Sequence, residues 1–437
     1  MAARETALNV LIACRKEQGW SNGVLKQYTK RDRLDRREAA LAARLCYGVV
    51  QNRMLLDYHL SGLLTGKLRD LHPVLRDILH LGLYQIVFMD RIPDSAAVNE
   101  SVTLAKKYCP KQKNGAGLVN AVLRAALRTE LVPPKGWAEL YSHPQALIDL
   151  LKPYVGGKQM EAMLKANNDI APTVIQVNTT KTTTRELLQQ LEGAGVEVKP
   201  HSWLDDCLVL SATGAIEELE SFQKGLFYVQ DAAAKLSVLC AQLPTDRELN
   251  VLDACAAPGG KSFAAAVAMG GKGQITSCDI HAHKLELIEK SAQRLGFSNV
   301  AVKLQDGSVF EPKWENAMDA VIADVPCSGY GIIRKKPDIR YKDPKTMEDL
   351  PQLQLAILKN QARYVKPGGV LIYSTCTLVR AENEGVLEQF LAENPDFKLE
   401  PLPLPAVFPE NESGMLLLVP GQYDTDGFFI SRLRRIK

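Results

Sequence analysis

Two cysteines follow directly on predicted strands, and a thiol can do covalent chemistry. Cys327 comes after a predicted strand at 318–324, and Cys376 comes after another at 369–374. A thiolate is the side chain suited to adding to an electron-poor pyrimidine ring. The alternative is that both are small buried fillers, which is the usual role of a free cysteine. Their placement at one predicted sheet edge favours chemistry.

A glycine turn gives the same edge a binding site. The short apolar run at 249–253 predicts a buried strand, and the Ala-rich run at 262–269 predicts a helix. Gly259 and Gly260 lack a Cβ, so a ligand can approach the backbone, and the helix start offers N–H groups. The candidate binding residues of the turn are Cys255, Ala256, Ala257, Pro258, Gly259, Gly260 and Lys261.

Three kinds of nucleotide ligand compete for this turn. The run 255–262 nearly matches the phosphate-binding pattern G-x-x-x-x-G-K-[ST], but Cys255 replaces its first glycine. That weakens an NTPase hypothesis without excluding it. The dinucleotide pattern G-x-G-x-x-G is absent. S-adenosylmethionine carries no phosphate, so it needs only close backbone approach and acids for its ribose and adenine.

Acidic side chains end three of the predicted strands. Asp279 and Asp324 are the last residues of two strands, and Asp306 lies just beyond a third. An acid at the second strand end can accept ribose hydroxyls, which assigns Asp279 to the ribose. Asp306 is assigned to the adenine or its surroundings. Three acids around one glycine turn favour a ligand that contains a nucleoside.

Composition places the chain in a reducing cytoplasm. Its 437 residues are 46% hydrophobic and 24% charged, an ordinary composition for a soluble protein. The N-terminus has no apolar signal region, and no apolar run approaches membrane-spanning length, so we expect no membrane partner. Nine cysteines without C-x-x-C pairs predict neither a disulfide scaffold nor a zinc site. Cys278, His281 and His283 are close in sequence, but Cys278 falls in a predicted strand, so we expect no metal.

Charge is unevenly distributed along the chain. Residues 1–130 hold 21 Lys and Arg against 12 Asp and Glu, a balance of +9, whereas the remainder carries −6. A basic N-terminal third indicates a polyanionic partner. The alternative is a solvated helical face with no partner.

Hydrophobic spacing predicts three domains. Residues 1–130 show helical periodicity throughout and predict an all-α RNA-binding domain. Residues 140–229 follow the order βαββαβ and predict a small α+β ferredoxin-like module. From 230 to 437 strands alternate with helices, which predicts an α/β Rossmann-like sheet with an antiparallel hairpin at its end.

The motifs together resemble those of a known family. The runs CAAPGGK at 255–261, DVPCSG at 324–329 and YSTC at 373–376 resemble the RNA cytosine-C5 methyltransferases of the Sun superfamily. Within that superfamily, nearly the whole chain resembles the RsmB (Sun/Fmu) family of bacterial 16S rRNA methyltransferases. The N-terminal part resembles its NusB-like domain, and the remainder its class I methyltransferase domain. The matching N-terminal runs are at 47–48, 88–93, 97–100 and 119–124.

The resemblance implies a role for each reacting residue. It implies that Cys376 attacks C6 of cytosine, that C5 takes the methyl of S-adenosylmethionine, and that Cys327 assists C5 proton removal and enzyme release. It implies that Asp324 lies at the cofactor edge and holds the base near N3 and the exocyclic amine. The implied substrate is 16S rRNA, free or in an assembling small subunit, and we expect a monomer.

The chain departs from the family pattern at four positions, which are Val325, Tyr330, Lys336 and Thr377. None of them removes a reacting group, and Tyr330 and Lys336 are the two expected to alter contacts with the substrate. Three alternatives stay open: a tRNA cytosine-C5 methyltransferase, an RNA-stimulated NTPase, and a noncatalytic RNA-binding assembly factor. In the NTPase, Lys261 and Ser262 would bind phosphate and Asp324 would bind Mg²⁺.

Overall fold

The chain folds into two compact units. The computed structural model describes residues 2–17, 21–211 and 214–437. Unit 1 takes in the described residues of 1–152 together with 157–169 and 333–342, and unit 2 takes in 153–156, the described residues of 170–332, and 343–437. Within the described ranges, no helix is both long and apolar enough to cross a membrane. The division into three domains at 130, 140 and 230 stays a prediction.

Unit 1 is built from helices, as the N-terminal periodicity predicts. Its core consists of apolar residues that recur at helical spacing, among them the fully buried Leu8, Leu45, Leu56 and Leu60. A 3₁₀ helix also spans Leu68–Asp70. The helices that begin in this unit are α1 Ala2–Glu17, α2 Ser21–Arg31, α3 Arg36–Gln51, α4 Arg53–Leu63, α5 Pro73–Phe88, α6 Asp94–Tyr108, α7 Gly115–Ala126, α8 Trp137–Leu140, α9 Gln145–Val155 and α10 Gly157–Ala166.

A buried arginine joins three parts of unit 1. Arg340 is 1% exposed and lies in the 3₁₀ helix Pro337–Tyr341. Its guanidinium donates to the carbonyls of Gln51 at 2.9 Å and Asn167 at 3.2 Å, which lie at the ends of α3 and α10. It also donates to the carbonyls of Tyr141 and Ser142, each at 3.3 Å, just after α8.

Those carbonyls explain why a charged group is stable there. The last carbonyls of a helix have no partner within the helix and carry its partial negative charge. Burial lowers the pKa of Arg340 to about 10, so the group remains a cation at neutral pH. Burial, and then the charge of Arg340, hold the pKa of His143 well below its usual value. We call Arg340 with its carbonyl partners the Arg340 junction.

The four-stranded sheet of unit 2 has the predicted ferredoxin-like layout. Its strand order is β2-β3-β1-β4, and all neighbours are antiparallel. A capping box of Thr183 and Glu186 begins the helix Thr184–Gly193. The second helix of the predicted βαββαβ order is instead a 3₁₀ turn, Ile216–Glu218, and one short helix, Glu220–Gln223, because Leu219 between them is extended. The elements are β1 Thr173–Val177, α11 Thr184–Gly193, β2 Glu197–Pro200, β3 Cys207–Ser211, α12 Glu220–Gln223 and β4 Phe227–Val229.

The larger sheet of unit 2 is parallel with an antiparallel end. Its order is β10-β12-β9-β8-β5-β6-β7, with β11 also pairing to β12. The predicted terminal hairpin is confirmed as β11 and β12, and β12 also runs antiparallel to β9 and β10. The elements are α13 Ala232–Leu239, β5 Asn250–Asp253, α14 Gly260–Ala268, β6 Gln274–Asp279, α15 Ala282–Leu295, β7 Val300–Leu304, β8 Met318–Asp324, α16 Leu350–Ala362, β9 Val365–Thr375, α17 Glu384–Glu393, β10 Phe397–Leu399, β11 Met415–Leu418 and β12 Phe428–Arg435.

Helices cover both faces of this sheet. Along β8, Ala320 and Ile322 pack with side chains of α14 and α15, whereas Val321 and Ala323 pack with α16 and α17. Alternate residues of a strand point to opposite faces, so both sets are buried. The parallel strands β5, β6, β7, β8 and β9 therefore end at one common edge, where an open α/β sheet binds its ligands.

Candidate functional site

Two cysteines 49 residues apart meet at the carboxyl edge of the large sheet. Cys327 follows β8 and Cys376 follows β9, and these strands are parallel neighbours with Asp324 opposite Ser374. The Cys327 Sγ lies 3.2 Å from the Cys376 Sγ and accepts the Cys376 backbone N–H at 3.3 Å. Both thiols are free and half-buried. The structure thus brings together the two cysteines that the sequence singles out.

The two thiols are not equivalent. Hydrogen bonding with Cys376 and burial raise the pKa of Cys327 well above its usual value, and the nearby carboxylates of Glu382 and Asp324 raise it further. Cys327 therefore holds its proton firmly. A protonated thiol at this distance can donate a hydrogen bond to its neighbour.

Asp324 is held between two side chains at the same edge. Lys261 of α14 donates to its Oδ2 at 2.6 Å, and Ser374 of β9 donates to its Oδ1 at 2.9 Å. Burial alone would lower the pKa of Lys261, but the charge of Asp324 outweighs it and raises that pKa. The Lys261 ammonium also lies 5.0 Å from the ring centre of Phe428. These hydrogen bonds fix the Asp324 carboxyl group beside the thiols.

The residues that would bind phosphate in an NTPase are engaged elsewhere. Besides the bond from Lys261 to Asp324, the Ser262 hydroxyl donates to Asp253 at 2.7 Å and accepts from Ser277 at 2.7 Å. Asp253 is fully buried, and burial raises its pKa to about 6. The two side chains assigned to phosphate are thus bound to acids, and Asp324, assigned to Mg²⁺, is bound to Lys261, so this geometry argues against the NTPase hypothesis.

The glycine turn and the strand-end acids fit a nucleoside ligand without phosphate. Gly259 begins α14 with φ +107°, and a Cβ there would come within 2.6 Å of Phe263. Asp279 ends β6, is nearly buried, and accepts the N–H of His281 through one carboxyl oxygen at 2.9 Å. Asp306 is exposed and caps a turn by accepting from Ser308. This acid pair on adjacent strands suits a ribose and a purine ring.

The remaining predicted residues also lie at this edge. Cys255 follows β5, and burial raises the pKa of its thiol, so it lines the turn as an apolar group. Ala256 donates its N–H to the Cys278 carbonyl at 2.7 Å, and Ala257 and Pro258 complete the turn. No group of three His, Cys, Asp or Glu residues in the described ranges is placed to hold a metal.

Sequence reasoning missed two buried polar residues beside the thiols. Glu382 and Asn383 lie between β9 and α17 and contact the loops that carry the two cysteines. Neither residue belongs to an apolar pattern or lies at a strand end, and those two features indicate the other site residues in the sequence. The polar run AENE at 381–384, shortly after the YSTC motif, was the available sign of them.

Three family models match successive segments of the chain. A family model described as 16S rRNA methyltransferase RsmB/F matches residues 240–434. The NusB family model matches 1–128, and a ferredoxin-like domain model of RsmF/B-like methyltransferases matches 143–217.

Individual relatives match at full length. The probable ribosomal RNA small subunit methyltransferase B of Bacillus subtilis (strain 168) is 36% identical over 448 residues, which cover 99% of both chains. Ribosomal RNA small subunit methyltransferase B of Klebsiella pneumoniae (strain 342) is 32% identical, over 91% of this chain and 90% of its own. A solved methyltransferase homologue from Pyrococcus horikoshii superimposes with a TM-score of 0.57 at 26% identity, over 68% of this chain and 97% of its own.

The Bacillus subtilis relative is 36% identical over 99% of both chains, so the similarity extends through all three matched segments. The chain therefore belongs to the RsmB family of S-adenosylmethionine-dependent methyltransferases of small-subunit ribosomal RNA.

Proposed function

We propose that the protein methylates C5 of a cytidine in 16S rRNA, through a covalent bond between Cys376 and C6 of the base. The observation that carries the proposal is the pair of thiols 3.2 Å apart at the ends of β8 and β9, next to Asp324. Methylation of an oxygen or an exocyclic nitrogen needs no thiol. Methylation of an unactivated ring carbon needs a nucleophile that first makes the carbon electron-rich.

Cys376 supplies that nucleophile. Its thiolate forms a bond to C6, and the electron pair of the C5–C6 double bond moves onto C5. S-adenosylmethionine, when bound, would supply an electrophilic methyl group on its sulfonium. The electron pair on C5 takes that methyl, the S–CH₃ bond breaks, and S-adenosylhomocysteine leaves with the electron pair of that bond. Asp324, held by Lys261 and Ser374, is placed to hold the base near N3 and the exocyclic amine while charge develops on the ring.

Cys327 completes the cycle by taking the C5 proton. Once Cys376 is a thioether, the hydrogen bond that contributes most to the raised pKa of Cys327 is gone. Cys327 can then release its proton to solvent and, as a thiolate, accept the proton from C5. The electron pair of that C–H bond re-forms the double bond, and Cys376 leaves as a thiolate. One proton is released per methyl group transferred, and the resting pair is restored.

The N-terminal helices would place the RNA. Their +9 balance supports phosphate contacts that position the target without reading its sequence. The target base must be unpaired or flipped, because a stacked and paired cytosine does not present C6 to a thiol. We further propose that residues 1–130 bind RNA, 140–229 link the domains, 230–437 carry the reaction, and that the protein acts as a monomer.

Bisulfite sequencing of total RNA tests the proposal in the source organism. We expect one 16S rRNA cytidine to resist conversion in the wild type and to convert after deletion of the gene. Re-expression of the wild type should restore resistance, whereas Cys376→Ala should not. A site that appears in tRNA instead would favour the tRNA enzyme, and no changed cytidine would contradict C5 methylation.

Replacing the acid at the end of β6 is expected to weaken cofactor binding. Asp279→Ala removes the acceptor that we assign to a ribose hydroxyl, at a cost of about 1–3 kcal/mol in binding free energy. Isothermal titration of S-adenosylmethionine and S-adenosylhomocysteine measures it, and both should weaken without any need for Mg²⁺. Glu289→Ala, which removes an exposed acid on the neighbouring helix α15, is the control and should bind normally. Unchanged affinity in Asp279→Ala would contradict the assignment.

A further inference from the structure

The Cys327 loop is held on both sides by a buried acid and its partner. Glu382 is 3% exposed and ends the 3₁₀ turn Arg380–Glu382. Its Oε2 accepts the backbone N–H of Ser328 at 2.9 Å and the side-chain amide of Gln354 at 2.9 Å. The same Gln354 amide donates to the Pro326 carbonyl at 3.0 Å. The residues directly before and after Cys327 are therefore tied to one carboxylate and one amide.

The Cys376 loop is held by the next residue along the chain. Asn383 is fully buried, and its side-chain oxygen accepts from the Thr375 hydroxyl at 2.6 Å. Its amide nitrogen donates to the Thr377 carbonyl at 3.1 Å. Thr375 and Thr377 flank Cys376, so this strand end too is tied on both sides.

The two loops are also tied to each other. The hydroxyls of Ser328 and Thr377 lie 2.7 Å apart, and the Gly331 N–H donates to the Cys376 carbonyl at 2.9 Å. The Glu382 carbonyl accepts from the Tyr373 hydroxyl at 2.5 Å, which fixes the 3₁₀ turn on β9. Thr377, which departs from the family pattern, thus takes part in holding the loops.

We infer that Glu382 and Asn383 are positioning residues for the methylation reaction, and that together they hold the loop of Cys327 against the loop of Cys376. The inference rests on the proposed function, because it concerns how the two thiols exchange roles in one cycle. Neither side chain needs to touch the RNA. Reacting groups must align within a few tenths of an ångström, so a loosened loop slows the reaction steeply.

The charge of Glu382 gives the inference a signature beyond folding. Its carboxylate is one of the groups that raise the pKa of Cys327, after the Cys376 hydrogen bond and burial. Removing that charge should therefore lower the pKa of Cys327. The other titratable or charged groups around the thiol stay in place in such a variant, and they are Cys376, Asp324, Lys261, Tyr330 and Tyr373.

The test compares Glu382→Gln with Glu382→Asp and Glu384→Gln in the full-length protein. In single turnovers across pH, we measure how fast methylated RNA is released from the covalent complex, because release is the step in which Cys327 takes the C5 proton. Glu382→Gln should be about tenfold to a hundredfold slower. The rising limb of its pH–rate profile should shift to lower pH, because the pKa of Cys327 falls. Glu382→Asp keeps the charge, so it should be slowed with an unshifted limb. Glu384→Gln loses a charge two residues away and should match the wild type. Cofactor affinity should be unchanged in all three.

Two results would overturn the inference. One is a wild-type rate in Glu382→Gln. The other is a slower Glu382→Gln whose pH–rate profile rises at the same pH as that of the wild type, because a merely structural role would slow the reaction without moving the profile. If Glu382→Gln does not fold, Thr375→Val removes the hydroxyl that Asn383 accepts and keeps the side-chain shape, and a wild-type rate there also overturns it. A wild-type protein that makes no 5-methylcytosine would refute the proposed function instead.

Discussion

Cys327→Ala protein, incubated with substrate RNA and S-adenosylmethionine, is expected to accumulate a covalent protein–RNA complex. In this variant Cys376 can still form its bond to C6 and the methyl can still transfer. The thiol that takes the C5 proton is missing, so the double bond cannot re-form and Cys376 cannot leave. On a denaturing gel the variant should run as a slow band that nuclease removes.

Three variants make that result specific. Cys376→Ala should bind RNA and cofactor but give neither band nor methylation, and the double variant should lose the band. Cys278→Ala removes a buried core thiol of β6 and should behave as the wild type. The outcome hardest to reconcile with the assignment is a band in Cys376→Ala that depends on Cys327. It would mean that the two strand ends have exchanged roles.

Arg340→Met is expected to destabilise unit 1 by about 3–5 kcal/mol, because several acceptors lose a donor at roughly 1–3 kcal/mol each. The methionine fills a similar volume but cannot donate, so the carbonyls of Gln51 and Ser142 and the side-chain oxygen of Asn168 lose the hydrogen bonds that Arg340 gives them. Arg340→Lys should lie in between, because an ammonium keeps the charge but cannot reach all of these acceptors at once. Urea unfolding followed by circular dichroism measures the loss.

A neighbouring arginine provides the matched control. Arg53 is exposed, and its guanidinium lies 4.7 Å from the ring centre of Tyr341. Tyr341 directly follows Arg340 in the sequence. Arg53→Met should cost no more than about 1 kcal/mol, since an exposed cation–π contact is weak. Equal unfolding midpoints for Arg340→Met and the wild type would show that the helix ends do not depend on the buried cation.

The sequence predicted the parallel strands well because each is a short apolar run that ends in a polar turn. The strands at 274–279 and 318–324 have the predicted bounds. Strand β9 begins at Val365, earlier than predicted, because Pro367 and two glycines disguise a stretch that pairs with β8 across an irregularity. Strand β10 was missed because three residues paired to β12 leave no pattern of their own.

The candidate site was predictable wherever a residue lies at a strand end. Cys327 and Cys376 each lie just beyond a strand end, and the parallel pairing of β8 with β9 brings the two residues together. The bond between Lys261 and Asp324 was not predictable, because it depends on how far α14 leans over the sheet edge. Glu382 lies in a turn, where only tertiary contacts show that its carboxylate faces the Cys327 loop.

The Arg340 junction has a consequence for how the protein is made. The chain supplies the helices of unit 1 before residue 170 but the arginine that joins their ends only at 340. At a synthesis rate of 5–20 residues per second, the ribosome would add the intervening stretch in roughly 10–30 s. During that interval the nascent N-terminal helices lack the buried cation of the finished unit. Their final closure therefore waits for translation of a segment that lies within residues 240–434, the stretch that matches the methyltransferase family model.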